Sequence, residues 1–248
     1  MVRPFAKHYD LVYADKNYGK DIADFAELAG ADRLRNMRVL EIGAGTGNQS
    51  LRLAHIVRDL VAVEIDPDFY ELLAAKVSAS ELPGIRPERR PIGELPPEPF
   101  DAAVAFFHVL NYVDPADMPA FLSALAARMK PGAPLVADLW NGVAALGDPP
   151  KPEMRKKQPG SARVLQRIAP KLDPQTRRLT LDYEIDIDEG GSRAQFRERL
   201  ELYLWLQEEI AVLLAQAGFH KIAFYDYARF PMPATDRSWR VWLHAARG

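Results

Sequence analysis

The sequence of 248 residues contains no cysteine. This absence excludes a disulfide framework, a thiolate nucleophile and a metal site built from cysteine ligands. No stretch approaches the roughly 20 apolar residues that a membrane-spanning helix needs. The first ten residues also lack the apolar core of a signal peptide. We therefore expect a soluble cytoplasmic protein that does not engage a membrane.

The chain also has little net charge. Its 32 lysines and arginines are nearly matched by 34 aspartates and glutamates, which leaves a formal charge of −2. Such a balance argues against an extended nucleic-acid surface, so no nucleic-acid partner is expected. No group of histidine, aspartate and glutamate has metal-ligand spacing, and we predict no metal. Apolar residues make up 48% of the chain, enough for the core of one large α/β domain.

The chain is organised around residues 38–66, whose pattern predicts a strand, a glycine loop, a helix and a second strand. Gly43, Gly45 and Gly47 follow the first apolar run, and Glu64 stands near the end of the second. Glycines leave bare main chain against which a ligand can lie. A carboxylate about 20 residues further on suits the two hydroxyls of a ribose. The unit therefore predicts a nucleoside site.

The spacing of the loop excludes two common phosphate-binding motifs. The dinucleotide fingerprint GxGxxG requires glycine at the position that Asn48 occupies. A P-loop requires a Gly-Lys-Ser/Thr sequence, which does not follow. An oxidoreductase that uses a nicotinamide is therefore disfavoured.

The sequence Glu-Ile-Gly-Ala-Gly-Thr-Gly at 41–47, with Glu64 closing the next strand, resembles the first two motifs of class I S-adenosylmethionine-dependent methyltransferases. Later segments at 100–104, 129–132 and 217–219 resemble the sequences that this family has at its fourth strand and before its fifth and sixth strands. The resemblance therefore covers nearly the whole chain. It implies S-adenosyl-L-methionine as cofactor and says little about the acceptor. It also implies that the cofactor contacts Tyr18, Glu41, Gly43, Ala44, Gly45, Glu64 and Ile65, with its adenine near Ile92, Gly93 and Glu94. The end of the fourth strand adds Phe107 to this set.

Residues 9–18 contain three tyrosines and a lysine. They resemble the YDxxY…KxY run of methyltransferases that act on amino sugars, in which a tyrosine lines the active site. The resemblance implies this role for Tyr9 first and for Tyr18 second. The alternative is a helical cap whose tyrosines only anchor it to the sheet.

His108 follows an almost wholly apolar strand predicted at 100–106. Ligands of open parallel sheets bind outside the carboxyl ends of the strands, which places this histidine at the site. Histidine titrates near neutral pH, so His108 is the first candidate for a general base. Tyr9 is the alternative base or orienting group, and a structural histidine beside the pocket is the other reading of His108. The faces of Phe107 and Trp140 suit a sulfonium ion.

Residues 179–187 alternate between apolar and polar types, which predicts a strand with one wet face. Strand-like runs at 163–168 and 194–204 flank it across turn signals, so an antiparallel meander is predicted. Residues 142–160 are rich in proline, which predicts a mobile or semi-extended connection. A third core strand is expected near 89–92, and a helix is expected to start at 114–115.

Together these patterns predict an α/β fold: a Rossmann-like, doubly wound sheet of seven strands, mostly parallel with one antiparallel strand, plus the inserted meander. We expect a single domain over 1–248. It comprises a helical cap (1–36), a core (37–141 and 206–248), and a linker with the insertion (142–205). The apolar face of the insertion predicts a roof over the pocket, with a homodimer interface as the alternative.

The leading hypothesis is a methyltransferase (EC 2.1.1 class) that acts on the amine or hydroxyl of a small molecule, by in-line displacement. The resemblance favours a sugar or nucleotide sugar as acceptor. The alternative is a non-catalytic protein that uses the same fold to bind a ligand or partner. A side chain at Gly45, as in Gly45→Val, is expected to fill the space of the cofactor.

Overall fold

The computed structural model describes residues 2–248. One sheet has seven strands: β1 (Arg38–Ile42), β2 (Asp59–Val63), β3 (Ile85–Glu88), β4 (Ala102–Ala105), β5 (Pro134–Trp140), β10 (Phe219–Asp226) and β11 (Arg240–Arg247). Their order across the sheet is β10-β11-β5-β4-β1-β2-β3. β11 runs antiparallel to both of its neighbours, and the other pairs are parallel. This topology confirms the predicted fold class.

Helices cover both faces of this sheet. They are α1 (Pro4–Val12), α2 (Tyr18–Ala29), α3 (Asn48–Ala54), α4 (Pro67–Ser80), α5 (Met118–Ala126), α6 (Gly142–Gly147) and α7 (Gln207–Gln216). Neighbouring residues of β1 point to opposite faces, so Leu40 packs with α5 and α7 whereas Val39 packs with α2 and α3. Short 3₁₀ turns occupy residues 31–36, 92–94 and 109–112.

Local sequence signals account for the start of α4. Asp66 accepts hydrogen bonds from the backbone N–H groups of Asp68 (2.9 Å) and Phe69 (3.2 Å), and Pro67 takes the first helical position. Both features pre-organise a helix N-terminus, because the cap satisfies free donors and proline fixes φ. The helix therefore begins directly after β2 and leaves Glu64 at the rim of the sheet.

A second sheet contains the predicted meander. Its strands are β6 (Glu153–Lys157), β7 (Arg163–Asp173), β8 (Arg178–Glu189) and β9 (Ser192–Tyr203), paired antiparallel in that order. The buried face, with Leu181 and Ile185, packs in one apolar cluster with Phe5 and Val12 of α1. Opposite charges pair across the wet face of β8 and β9, as between Arg199 and Asp182 (2.6 Å). The insertion therefore lies against α1.

Two predicted elements lie elsewhere in the structure. The third core strand is β3 at Ile85–Glu88 rather than at 89–92, and residues 92–94 form a 3₁₀ turn after Pro91. β3 is an edge strand, where Pro87 costs no ladder hydrogen bond. The helix expected from 114–115 begins at Met118, because the Asp114 side chain accepts from Ala116 N–H (3.0 Å) in a preceding turn.

The semi-extended connection expected at 142–160 is instead structured. The Asn141 side chain caps α6 through Val143 N–H (3.2 Å). β6 pairs with β7, so the second sheet has four strands rather than three. β6 is exposed and charged, so its own sequence does not predict a strand. It is extended because it pairs with β7.

Within residues 2–248, no helix is both long enough and apolar enough to span a bilayer.

Candidate active site

The carboxyl ends of β1, β2 and β4 open into a cavity of about 400 Å³. This volume lies within the usual range of small-molecule sites, about 300–1,000 Å³. α1 and β9 cover the cavity from the other side, so both the cap and the insertion contribute to it. Its walls include Phe5, Tyr9, Tyr13, Gly43, Ala44, Gly45, Glu64, Ile65, Asp66, Phe69, Phe107 and Leu200.

The three glycines of the loop all adopt a positive φ, but they serve different purposes. A Cβ atom on Gly43 would lie 2.5 Å from a methyl group of Val109, and one on Gly47 would lie 2.8 Å from a methyl group of Leu73. A Cβ atom on Gly45 would meet no atom within 4 Å. Only Gly45 therefore presents bare main chain to open space, whereas the other two permit close packing.

Glu64 is held at the cavity wall by two backbone donors. Gly45 N–H donates to one carboxylate oxygen at 2.8 Å, and Asp66 N–H donates to the other at 2.9 Å. Burial raises the pKa of Glu64, although these backbone donors oppose the shift. A carboxylate has about four acceptor sites, so lone pairs remain for donors of a ligand. Its position suits the recognition of vicinal hydroxyls.

Glu41 lies at the end of β1 and is buried, with 1% of its surface exposed. One of its carboxylate oxygens has no hydrogen-bond partner among residues 2–248. Burial raises the pKa of Glu41 to about 8, so the group is mostly protonated at neutral pH. It does not line the cavity.

α1 is tied to the glycine loop by Asp10. The Asp10 carboxylate accepts from Thr46 Oγ1 at 2.7 Å and from Asn48 Nδ2 at 2.8 Å, and it pairs with Lys76 at 2.6 Å. These contacts fix the helix over the cavity, with the neighbouring Tyr9 on its wall.

Arg3 closes the same side of the cavity. Its guanidinium pairs with Asp66 and Asp68 at the start of α4, and with Glu198 of β9 at 3.3 Å. Cap, core and insertion therefore meet at this one side chain.

Tyr9 packs among aromatic rings, 4.6 Å from the ring centroid of Tyr13 and 5.1 Å from that of Phe69. Burial raises the pKa of Tyr9 well above its ordinary value. The phenol therefore stays protonated near neutral pH. This favours an orienting role over that of a general base.

A second cavity of about 230 Å³ adjoins the first. Tyr13, Phe107 and Leu200 line both, so these side chains separate the two spaces. The walls of the second cavity also include His108, Trp140, Glu153, Arg155, Leu181, Tyr183 and Arg240. Flat aromatic faces and charged groups of both signs are therefore combined.

His108 is 6% exposed, and its Nδ1 atom has no hydrogen-bond partner in the described part of the chain. Its ring centroid lies 5.1 Å from that of Trp140 and 5.7 Å from that of Tyr112. Burial lowers the pKa of His108 well below its ordinary value, and the charges of Arg240 and Lys16 add to the shift. The imidazole is therefore neutral at physiological pH, and the lowered pKa makes it a weaker base than an exposed histidine.

The structure brings together most of the residues that the sequence assigned to the site. Those on the wall of the first cavity are Tyr9, Gly43, Ala44, Gly45, Glu64, Ile65 and Phe107, and His108 lines the second. Tyr18 lies behind the wall, where its hydroxyl accepts from Asn48 Nδ2 at 3.2 Å.

Ile92, Gly93 and Glu94 line neither cavity. Their 3₁₀ turn is fixed by Arg128, whose guanidinium donates to the carbonyl oxygens of Ile92 and Gly93. Within residues 2–248, no three histidine, aspartate or glutamate side chains are grouped as metal ligands would be.

Several lining residues were not predicted. Tyr13 stands four positions after Tyr9 and therefore on the same side of a helical turn, a signal that was present in the sequence. Leu200 and Glu198 of β9 carried no such signal, because they reach the cavity only through the packing of the insertion on α1.

Residues 39–132 match the family model for a methyltransferase domain. The matched range begins in β1, includes the glycine loop and Glu64, and ends before β5. Over this range the chain is similar to a methyltransferase domain. The match confirms the class that the motif at 41–47 and Glu64 resemble.

Two curated relatives of the methyltransferase domain are similar over a third of this chain. A ribosomal RNA small subunit methyltransferase A from Nostoc sp. is 43% identical over 84 residues, which is 28% of that protein. A probable ribosomal RNA small subunit methyltransferase A from Methanosarcina mazei is 36% identical over 89 residues, 31% of its length. The chain thus spans less than a third of the length of the curated relatives it matches.

Solved methyltransferases share the fold over nearly the whole chain. An S-adenosylmethionine-dependent methyltransferase from Clostridium acetobutylicum superposes with a TM-score of 0.82 at 19% identity, over 98% of both chains. CalS10, an amino pentose methyltransferase from Micromonospora echinaspora solved with S-adenosylmethionine bound, gives 0.76 at 20% identity, over 97% of this chain and 96% of that one. DesVI from Streptomyces venezuelae gives 0.80 at 15% identity, over 99% of both.

Proposed function

We propose that this chain is an S-adenosylmethionine-dependent methyltransferase that methylates an amine or hydroxyl of a small molecule, with a sugar or nucleotide sugar as the leading class. The observation that carries the proposal is the pair of adjoining cavities. One is walled by the open main chain of Gly45 and the carboxylate of Glu64, and the other by His108. Tyr13 and Phe107 stand between them. The fold shared with an amino pentose methyltransferase supports the sugar class.

The first cavity fits an adenosyl ligand. The main chain at Gly45 allows close approach, and Glu64 accepts hydrogen bonds from ribose hydroxyls. When bound, S-adenosylmethionine supplies a methyl group on a positively charged sulfur, which the acceptor takes by in-line displacement. The faces of Tyr9, Tyr13 and Phe107 lie on the cavity wall and stabilise a nearby cation.

The second cavity would hold the acceptor. Trp140 and Tyr183 offer flat apolar faces, and the ion pair of Glu153 with Arg155 offers polar groups that can select those of an acceptor. His108 lines this cavity, and its neutral imidazole can take the proton that an amine or hydroxyl loses. Holding the acceptor at roughly 3–3.5 Å from the methyl group is the main contribution of such a site.

We propose that the chain works as one domain, with its cap at 1–36, its core at 37–141 and 206–248, and its insertion at 142–205. Tyr9 of the cap and Leu200 of the insertion both line the first cavity, which supports a roof role for these parts. A homodimer through the insertion is the alternative, and sedimentation analysis would detect it.

Calorimetry with S-adenosylmethionine and S-adenosylhomocysteine tests the proposal, followed by mass spectrometry of candidate acceptors. We expect binding of both nucleosides, and one added methyl group on an amino sugar or hydroxylated sugar. Cofactor binding with no turnover across amines, sugars and phenols would favour the non-catalytic binding protein. Binding of NADH in place of S-adenosylhomocysteine would overturn the proposal.

A substitution at His108 tests its role as a base. His108 has a φ of +52°, and asparagine tolerates this left-handed conformation better than alanine does. We expect His108→Asn to lower turnover by roughly 100-fold, because an amide cannot take the proton, and to leave the Kd of the cofactor unchanged. Steady-state rates and calorimetry provide the two numbers.

His55→Asn is the control for this experiment, because it makes the same chemical change at an exposed position. Turnover of His108→Asn equal to that of the control would assign His108 to a structural role.

A further inference from the structure

The turn after β4 has an unusual backbone. Phe107 and His108 have φ values of +65° and +52°, so two consecutive non-glycine residues adopt the left-handed conformation. Bulky side chains rarely take this conformation, and they keep it only where the surrounding structure enforces it. The turn directs Phe107 to the wall between the two cavities and His108 into the second.

The groups that enforce the turn are the two oxygens of one carboxylate. Phe107 N–H donates to Oδ1 of Asp138, and His108 N–H donates to Oδ2 at 2.9 Å. Asp138 lies on β5, between β11 and β4, and is fully buried. Both successive N–H groups are thereby held by a single rigid acceptor.

Arg240 balances the charge of this buried carboxylate. Its Nε donates to Asp138 Oδ2 at 2.6 Å, and its guanidinium lies 3.7 Å from the ring centroid of Tyr227. Arg240 stands on β11, the antiparallel neighbour of β5. A buried carboxylate without such a partner would be strongly destabilising.

A second buried carboxylate, Asp21 of α2, extends the network. It pairs with Lys16, accepts from the Tyr227 hydroxyl and lies 3.9 Å from Arg240. Lys16 lies 4.8 Å from the ring centroid of Phe107. The backbone and the ring of Phe107 therefore both contact the same group of charges.

We propose that Asp138 and Arg240 are positioning residues for methyl transfer: their ion pair holds the Phe107–His108 turn in its left-handed form and thereby sets the boundary between the two cavities. The inference rests on the proposed function for its catalytic meaning. Asp138 lines neither cavity, whereas Arg240 also lines the second, so Asp138 carries the main test of positioning. Loosening the turn would misalign acceptor and methyl group, which is costly because a shift of about 1 Å can lower a rate by roughly 100-fold.

Asp138→Asn is the first test, since it preserves shape but turns one acceptor of the pair into a donor that opposes a backbone N–H. We expect kcat to fall by roughly 10-fold to 100-fold, while the Kd of S-adenosylmethionine changes by less than about 3-fold. We also expect the ring signals of His108 to shift in spectra of the ¹⁵N-histidine-labelled protein. The His108→Asn variant assigns those signals among the five histidines.

Asp226→Asn is the matched control. Asp226 is also buried, accepts from two backbone N–H groups at 3.0 and 2.9 Å, and pairs with Arg229 at 2.8 Å, but it lines neither cavity. We expect the Asp226→Asn variant to have a lower melting temperature but an unchanged kcat and unchanged His108 signals. Arg240→Lys is the second variant: it keeps the charge but loses the Nε donor, and we expect a smaller fall in kcat.

The outcomes separate this inference from the proposed function. No turnover in the unmodified protein counts against methyl transfer. An unmoved His108 signal in folded Asp138→Asn and Arg240→Lys counts against positioning, whatever the activity. A fall in kcat matched by Asp226→Asn would likewise overturn it.

Discussion

Replacing Gly45 with asparagine is expected to weaken S-adenosylmethionine binding by at least about 100-fold, which corresponds to roughly 2.7 kcal/mol. Gly45 has a φ of +57°, and a Cβ built on it points into space with no protein atom within 4 Å. That space belongs to the cavity in which we place the cofactor. An asparagine side chain would therefore occupy the volume of the ligand. Calorimetric Kd values and thermal unfolding are the measurements.

Asparagine at this position separates occlusion of the site from backbone strain better than valine does. A β-branched residue at positive φ strains the backbone, so loss of binding in Gly45→Val would mix misfolding with occlusion of the site. Asparagine tolerates the left-handed region, so strain contributes less.

Gly190→Asn provides the matched control for this substitution. Gly190 has the same φ of +57°, faces open space, and lies in the turn between β8 and β9, away from both cavities. We expect this variant to bind the cofactor normally. Normal affinity in a folded Gly45→Asn variant would remove the glycine loop from the cofactor site.

The part of the fold that the sequence predicted best is the part with local signals. β1 and β2 follow from the apolar runs on either side of the glycine loop and helix, and β8 follows from the alternation at 179–187. In each case the residues that specify the element lie within it or next to it. Packing against distant parts of the chain then adds stability without changing the assignment.

Elements that depend on pairing with another strand rather than on their own residue pattern were missed or misplaced. β6 is a charged, exposed strand that exists because β7 pairs with it, and β3 is an edge strand that contains proline. Misplacing β3 also affected the site, because the residues assigned to adenine at 92–94 followed from the expected strand at 89–92. In the structure these residues pack against Arg128 instead.

The site shows the same division. The glycine loop and Glu64 lie in one βαβ unit, so their proximity was predictable from spacing alone. The Asp138–Arg240 pair joins residues 102 positions apart in the chain, and its partners at 107 and 108 belong to a third strand end. No periodicity in the sequence reports such a contact. Site residues that lie in one local motif can therefore be predicted from the sequence, whereas the residues that position them from distant parts of the chain cannot.

Substituting Glu41 with glutamine is expected to change the pH dependence of stability. Burial raises the pKa of Glu41 to about 8 in the folded chain, against about 4.3 for an unperturbed glutamate. Between these values the folded state keeps a proton that the unfolded state has released. The free energy of unfolding contributed by this group therefore falls as pH rises from about 4.3 to about 8, and is constant outside that range.

Glu41→Gln has nearly the same shape and no such ionisation. We expect its stability relative to the unmodified protein to increase from pH 5 to pH 8, by an amount on the order of a few kcal/mol. Urea unfolding at several pH values measures this difference, and the control variant Glu27→Gln makes the same chemical change at an exposed position of α2.

A stability difference for Glu41→Gln that stays constant across this range would mean that Glu41 is already ionised when folded. In that case its unpartnered oxygen would require a cation or donor from a ligand, since an isolated buried carboxylate is not otherwise tolerated.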